Sequence, residues 1–466
     1  MDEIIITEDN RHAISNYMAN SYKILPQEVY PEALVLYCAE KTDYTDITDE
    51  LELLLGKKVT FTPYPSHLVE KALSRYYRQE RQELSRTLNL EKGDFLEELL
   101  AEAKSLKSSD IHCEVYENSA RVRLRVDGQL LDRYKLDRDS YQELVNKIKI
   151  MAKLNITEKR LPQDGRITTP AFDIRVSILP TLFGEKIVMR LLGQDASKID
   201  LDTLGFEPEA LKEYLEAIRK PNGIILISGP TGSGKTTTLY ATLRLLNDSR
   251  RNILTVEDPI EYILKGINQV QLKEDIGLTF SAALRSFLRQ DPDIIMLGEI
   301  RDAETALMAI RASLTGHLVL STIHTNSALG TVSRLVDMGV PAYLIAETLN
   351  LSVAQRLIRK LCPDCKEEIP YQPEDFPGGF RIPYEPDRLF RAKGCNNCFH
   401  TGYKGRRALY EIVRITPQVS DAIKTGALDT FLENKEEYKS LSEKAFDVLG
   451  AGETSLEEIY SILLNA

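Results

Sequence analysis

A chain of 466 residues is too long for one ordinary core and predicts roughly three folded domains. Its 59 lysines and arginines against 70 aspartates and glutamates leave a formal charge of −11, and a pI near 5.3 argues against a nucleic-acid-coating surface, although a local basic groove stays compatible with it. No Met-Lys/Arg start opens onto an apolar stretch, and no apolar run approaches the roughly 20 residues of a membrane helix, so a soluble, cytoplasmic chain is expected.

Residues 1–78 read as a small mixed unit. Strands are expected at Ala33–Cys38 and Lys58–Phe61, a helix over 46–55 that stops at Gly56, and a helix to Tyr77 that Ser66 can cap. His12 and His67 have no companion ligands nearby, which leaves surface or capping roles for them. Residues 79–108 are charged and helical in pattern, with Leu84, Leu88 and Leu90 and then Phe95, Leu96, Leu99 and Leu100, and predict a linker and an amphipathic helix. Over 109–194 an α+β unit is expected. In it Ala120–Val126 and Gln129–Arg133 make a hairpin around Asp127-Gly128 with arginines on one face, and a helix runs from about Tyr141 to Leu154. Arg166 and Arg175 stand beside short strands further on, and taken alone such arginines read as solvated strand residues.

Gly193–Ser197 reads as a connector into a core over 195–360. Four apolar runs, Ile224–Ser228, Ile253–Val256, Ile294–Leu297 and Leu318–Thr322, alternate with helix-like stretches, and this predicts a mainly parallel sheet covered on both faces. After the first run comes Gly229-Pro230-Thr231-Gly232-Ser233-Gly234-Lys235-Thr236, which fits Gly-x4-Gly-Lys-Ser/Thr without a substitution and opens the helix that carries Thr237. Glycines there let backbone N–H groups turn inward around a phosphate chain, and the helix N-terminus adds to the attraction. Lys235 would reach the terminal phosphates of ATP or ADP, and the Thr236 hydroxyl would ligate magnesium.

Ligands of such sheets bind at the carboxyl ends of the strands. Glu257-Asp258, Gly298-Glu299-Ile300-Arg301-Asp302 and Thr322-Ile323-His324-Thr325 follow the other three runs. A carboxylate placed there can hold magnesium or orient the attacking water, and a histidine can sense the terminal phosphate; Glu257 is the candidate for the water, Glu299 for magnesium.

Cys362-x2-Cys365 and Cys395-x2-Cys398 are two knuckles separated by 29 residues, a tetrahedral zinc pattern, whereas Cys38 and Cys113 stand alone. Four thiolates leave no open position, so this zinc would be structural, pinning a Pro-rich excursion over 369–392 that has little core of its own within a subdomain over 361–410. Residues 411–466 read as helical, and Thr454-Ser455-Leu456-Glu457 as a capping box opening the last helix.

Taken together, these motifs resemble the secretion ATPases of type II secretion and type IV pilus assembly. Thr255–Glu261 resembles the family's aspartate box, Asp291–Asp302 its Walker B box and Thr315–Thr325 its histidine box, and the likeness covers roughly residues 109–466. Leu161–Arg166 and Arg175–Ser177 resemble arginine-bearing segments of the family's second N-terminal domain, a PAS-like unit, and Gly402–Arg406 the segment after its zinc knuckles. The resemblance implies a RecA-like core and a homohexameric motor that hydrolyses ATP and drives filament assembly through an inner-membrane platform protein. It also implies peripheral attachment to that membrane through partners, with residues 1–78 docking on a cytoplasmic or membrane-anchored scaffold protein. Arg166 and Arg175 become candidates to clamp the nucleotide when domains close. The cysteine knuckles favour assembly over a retraction motor. A nucleic-acid-translocating ATPase on the same core, and a filament scaffold binding nucleotide without turnover, are the readings from other classes. Acidic charge disfavours the first, and the presence of both Glu257 and Glu299 the second.

Overall fold

The computed structural model describes residues 4, 6, 10, 13, 14, 18, 19, 22–30, 32–40, 44, 47–48, 51–52, 55–77, 86–87, 95–168, 173–192, 200–377, 380–433 and 438–464. The Gly193–Ser197 connector, His12, Leu84, Leu88, Leu90 and parts of the expected 46–55 helix and of the 79–108 linker lie outside the described residues. Contacts divide the chain into two compact units. The first comprises Met1–Gly93 with Val115–Arg123 and Leu131–Tyr141; the second comprises Asp94–Glu114, Leu124–Leu130 and Gln142–Ala466.

In the first unit Ala33–Ala39 is the middle strand, antiparallel to Ile24–Val29 and parallel to Lys58–Tyr64. Its alternate residues Leu34, Leu36 and Cys38 are buried among Ile24, Leu25, Val59 and the apolar side of helix Ser66–Tyr76, as a half-covered sheet requires. That helix has Pro65 at its N-cap with no side-chain cap bond, so Ser66 is the first helical residue and not the cap expected from the sequence.

The N-terminal part of the second unit holds an antiparallel run in which Gly184–Leu192 lies between Asp110–Val115 and Asp173–Thr181, followed by Gln163–Thr168. Helix Arg138–Met151 sends Lys149 inward, fully buried, where it pairs with Glu185 at 2.6 Å and donates to the Glu158 carbonyl at 2.7 Å. Buried charge is tolerated because it is paired and hydrogen-bonded.

The sheet that follows in the chain has seven strands, in the order Asn268–Gln271, Ile253–Glu257, Ile294–Leu297, Leu318–Ile323, Gly223–Ser228, Leu349–Leu361 and Tyr403–Arg414. All pairs are parallel except the last. The four expected strands are its centre, and each is buried along its whole length because both faces are covered. Along Gly223–Ser228 successive side chains enter different cores: Ile224 and Leu226 pack with helices Phe280–Phe287 and Ala303–Leu314, Ile225 and Ile227 with helix Lys235–Leu246.

Two long strands exceed the sequence expectation. Leu349–Leu361 and Tyr403–Arg414 pair antiparallel, so residues 403–410, within the segment read as the cysteine subdomain, belong to the core sheet. The excursion between them also has more core than its sequence suggests. Rings of Phe376, Phe380 and Tyr384 surround Phe446 of helix Leu441–Gly450, with centroids 5.7, 5.6 and 5.1 Å away. The tail is helical as expected, and its last helix, Leu456–Leu463, starts at Ser455. No capping box forms there: Ser455 bonds the Tyr403 hydroxyl at 2.7 Å, and Thr454 donates to the Arg359 carbonyl at 2.9 Å. The reciprocal box occurs instead at Ser440 and Glu443.

Candidate nucleotide site and cysteine centre

The turn from Ser228 into helix Lys235–Leu246 depends on glycine at two points. Gly229 has φ of 144°, and a Cβ there would stand 2.4 Å from the Gln355 carbonyl oxygen; Gly234 is the left-handed N-cap with φ of 90°. Lys235 is 9% exposed, and its ammonium donates to the carbonyls of Gly229 at 2.7 Å and Pro230 at 3.0 Å. Burial pulls its pKa down, opposed by the negative charge of Glu299 and reinforced by the positive charge of Arg356. Thr231, Gly232 and Thr236 are exposed around it, Thr237 is half-buried, and the Ser233 hydroxyl is buried without a hydrogen-bond partner. A glycine-built turn into a helix N-terminus, an ammonium resting on its own carbonyls and an orphaned hydroxyl fit a polyphosphate.

Glu299 and His324 meet at the carboxyl ends of neighbouring strands, Nε2 to Oε2 at 2.9 Å, and Arg301 bonds the other Glu299 oxygen. Burial pushes the Glu299 carboxyl up, but hydrogen bonds and charge from Arg301 and His324 outweigh it and hold the pKa below the usual range. Asp302 caps the next helix, accepting from the Thr305 N–H at 2.8 Å. Glu257 stands differently. It is 3% exposed, and its oxygens accept from Thr255 at 2.6 Å, from Gln269 at 3.1 Å and from the Tyr240 hydroxyl.

The two candidate clamp arginines are engaged elsewhere. Arg166, 54% exposed, pairs with Asp173 across the antiparallel strands. Arg175 donates to the Ile260 carbonyl and lies 3.5 Å from Glu261, so it grips the loop that follows Glu257. Neither has a hydrogen bond or ion pair to the phosphate loop.

The four sulfurs of Cys362, Cys365, Cys395 and Cys398 lie within 4.8 Å of one another. Three of their separations are 3.9, 3.7 and 3.7 Å. Tetrahedral zinc with Zn–S of about 2.3 Å requires sulfurs about 3.8 Å apart, so the donor set fits that ion. The N–H groups of Cys395 and Gly402 each point at the Cys398 sulfur from 3.2 Å. Burial raises the Cys398 thiol, and these N–H groups with the neighbouring thiols more than offset it, bringing the pKa to about 7.

Sequence reasoning missed Gln355 and Arg356. Gln355 is buried beneath the phosphate loop, donating to the Ser233 carbonyl at 2.8 Å and accepting from Thr238 at 2.9 Å. The available signal was a Gln-Arg pair interrupting the apolar run Val353-Ala354…Leu357-Ile358.

A family model described as type II/IV secretion system protein matches residues 90–461. The type II secretion system ATPase E of Vibrio cholerae is 46% identical over 370 residues, covering 78% of this chain and 74% of its own. Type IV pilus assembly ATPase PilB of Myxococcus xanthus is 40% identical over 484 residues, covering 95% and 84%. Among solved structures, the pilus retraction motor PilT with bound ADP superposes with a TM-score of 0.55 at 26% identity, covering 78% of this chain and 96% of its own. The ATPase DotB of Legionella pneumophila, at 23% identity and TM-score 0.60 over 82% and all of its chain, shares the fold. With the phosphate loop, the Glu299–His324 pair and the four clustered cysteines all inside the matched span, the chain belongs to the type II/IV secretion system protein family.

Proposed function

We propose that this chain is an ATP hydrolase that powers assembly of a type IV pilus or of a type II secretion pseudopilus. The observation that carries the reading is Lys235 and its phosphate loop lying within electrostatic reach of Glu299, itself paired with His324 and Arg301. Bound magnesium would neutralise charge on the phosphates, with Thr236 and Glu299 as the residues to hold it. Lys235 would leave the carbonyls of Gly229 and Pro230 for the terminal phosphates, and His324 would read the same phosphate from its place on Glu299. Glu257, once released by Tyr240, orients the attacking water. Arg175, which holds the loop after Glu257 from strand Asp173–Thr181, and Arg166 close on the nucleotide.

The same reading takes the working form as a homohexamer acting on an inner-membrane platform protein, held at the membrane by partners, with residues 1–78 docking on a scaffold protein. Among the described residues no helix is long and apolar enough to cross a membrane. Zinc is the ion that best suits the four cysteines. Phosphate release from Mg-ATP by the purified chain, lost in Lys235→Ala, tests the hydrolase. Stimulation by single-stranded DNA would favour the nucleic-acid motor, and copurification of a membrane platform with its filament subunit would identify the system.

A further inference from the structure

Strand Leu349–Leu361 runs parallel to Gly223–Ser228 with Ala354 beside Ser228, so Gln355 and Arg356 come level with the first residues of the phosphate loop. Gln355 fastens that loop from below. Arg356 has no such plain purpose. Its guanidinium is half-buried, and Nη1 lies 3.2 Å from the place a Cβ on Gly229 would take. Nη1 donates to the Gln355 carbonyl at 3.1 Å; Nη2 donates to the Asn326 carbonyl at 3.0 Å and to its Oδ1 at 3.3 Å. All these acceptors are neutral. Among the described residues no carboxylate comes within ion-pair distance, and Glu411 acts only at longer range, against the burial that lowers the arginine's pKa.

An arginine keeps its charge at any working pH, and a partly desolvated charge without a counter-ion is costly. A neutral side chain could meet the same carbonyls more cheaply. The positive charge therefore calls for an anion at this place, and the anion the phosphate loop is shaped for is the nucleotide. The other half of the contact points to the chemistry. Asn326 lies two residues beyond His324, and His324 bonds Glu299, so the fork of Arg356 joins the strand that underlies the phosphate loop, beside Gly229, to the loop that carries the histidine.

We propose that Arg356 is a positioning residue for hydrolysis: it holds the histidine loop to the strand beneath the phosphate loop, with the nucleotide's phosphates as its counter-ion. The proposal rests on the ATP-hydrolase reading above. It separates charge from shape, because lysine carries the same charge but cannot bridge two sets of acceptors as a planar fork does.

The test is steady-state Mg-ATP turnover, ADP binding and thermal melting of the full chain and three variants. Arg356→Ala loses both properties: ADP affinity falls several-fold, about fivefold, and kcat at least about tenfold. Arg356→Lys keeps the charge, so affinity stays within about twofold of the native chain while kcat remains down by about tenfold. Asn326→Ala leaves the arginine in place and lowers kcat by about threefold at unchanged affinity, which reads the same tether if either Arg356 variant fails to fold. Unchanged melting with this split between kcat and affinity separates positioning from general damage. Native kcat in Arg356→Lys would overturn the tether, native kcat in Asn326→Ala would confine it to the Asn326 backbone carbonyl, and native affinity in Arg356→Ala would overturn the counter-ion. An inactive native chain would remove the hydrolase reading itself, whereas an active native chain matched by Arg356→Ala would sink this inference alone.

Discussion

Replacing Glu299 with glutamine keeps its size and removes its charge. The side chain is 18% exposed and faces the His324 imidazole at 2.9 Å and the Arg301 guanidinium. A hydrogen bond to a charged group contributes roughly 1.5–3 kcal/mol, but both partners are about half exposed, so solvent screening brings the stability loss for the pair down to about 1–2 kcal/mol. Turnover falls further, since a charge aimed at the transition state in a shielded site is worth roughly 3–4 kcal/mol, or about 10²–10³ in kcat. Glu299→Gln is therefore expected to bind ATP and ADP like the native chain, to melt a few degrees lower and to release phosphate at least about a hundredfold more slowly. The pH dependence carries the same signature. The folded pKa of Glu299 lies below the ordinary 4.5, so its stabilisation is full above that value and is lost as pH falls through the lower folded value; native and variant melting curves converge there. Phosphate release by Glu299→Gln at the native rate would refute the assignment, and a matching loss of ADP binding would show that Glu299 builds the pocket instead.

Three further outcomes are expected. Glu257→Gln abolishes most turnover, whereas Tyr240→Phe, which releases the carboxylate at a cost of about 1–1.5 kcal/mol in stability, turns over at least as fast as the native chain; a Tyr240→Phe protein as dead as Glu257→Gln would mean that the pair acts as a structural unit. Atomic absorption finds one zinc per chain, and Cys395→Ser or chelation exposes both knuckles to proteolysis while the segment around Phe376–Tyr384 stays protected until Phe446→Ala removes about 3–5 kcal/mol of packing; cleavage throughout 362–402 on chelation alone would show that the aromatic cluster does not hold the excursion. Arg166→Ala and Arg175→Ala each cut turnover by at least about tenfold with ADP affinity nearly unchanged, measured by single-turnover phosphate release, and full rates in both would reject the clamp.

The phosphate loop, the four central strands and the cysteine knuckles were legible because each is written in consecutive residues: mainly apolar runs, a glycine pattern, a Cys-x2-Cys spacing. What could not be read is set by pairing across distant segments. Gln355 reaches the Ser233 carbonyl only through the sheet register that puts Ala354 beside Ser228. Ser455 precedes its helix as expected, yet the Tyr403 hydroxyl, far away in sequence, takes the oxygen a cap would need. The sequence names Glu257 but not its burial, which arises from Tyr240 on the preceding helix and Gln269 on the edge strand. Strand Tyr403–Arg414 stayed hidden behind the excursion, since its partner ends at Leu361, before the first knuckle.

That strand pair has a consequence for how the chain can be altered. Leu361 pairs with Tyr403, and the Cys362 N–H donates to the Gly402 carbonyl at 2.9 Å, so the thiol cluster sits where an ordinary antiparallel hairpin would have a two- to five-residue turn. Closure is set at the cysteines, and the excursion beyond them lies outside the closed ring. Lengthening such a segment costs little, about 0.6 kcal/mol for each doubling of loop length. Asp387-Arg388 is exposed and lies apart from the rings around Phe446, which makes it a graft point. A fluorescent or affinity module inserted there would travel with the chain while the register at Gln355, upstream of the closure, stays insulated from it.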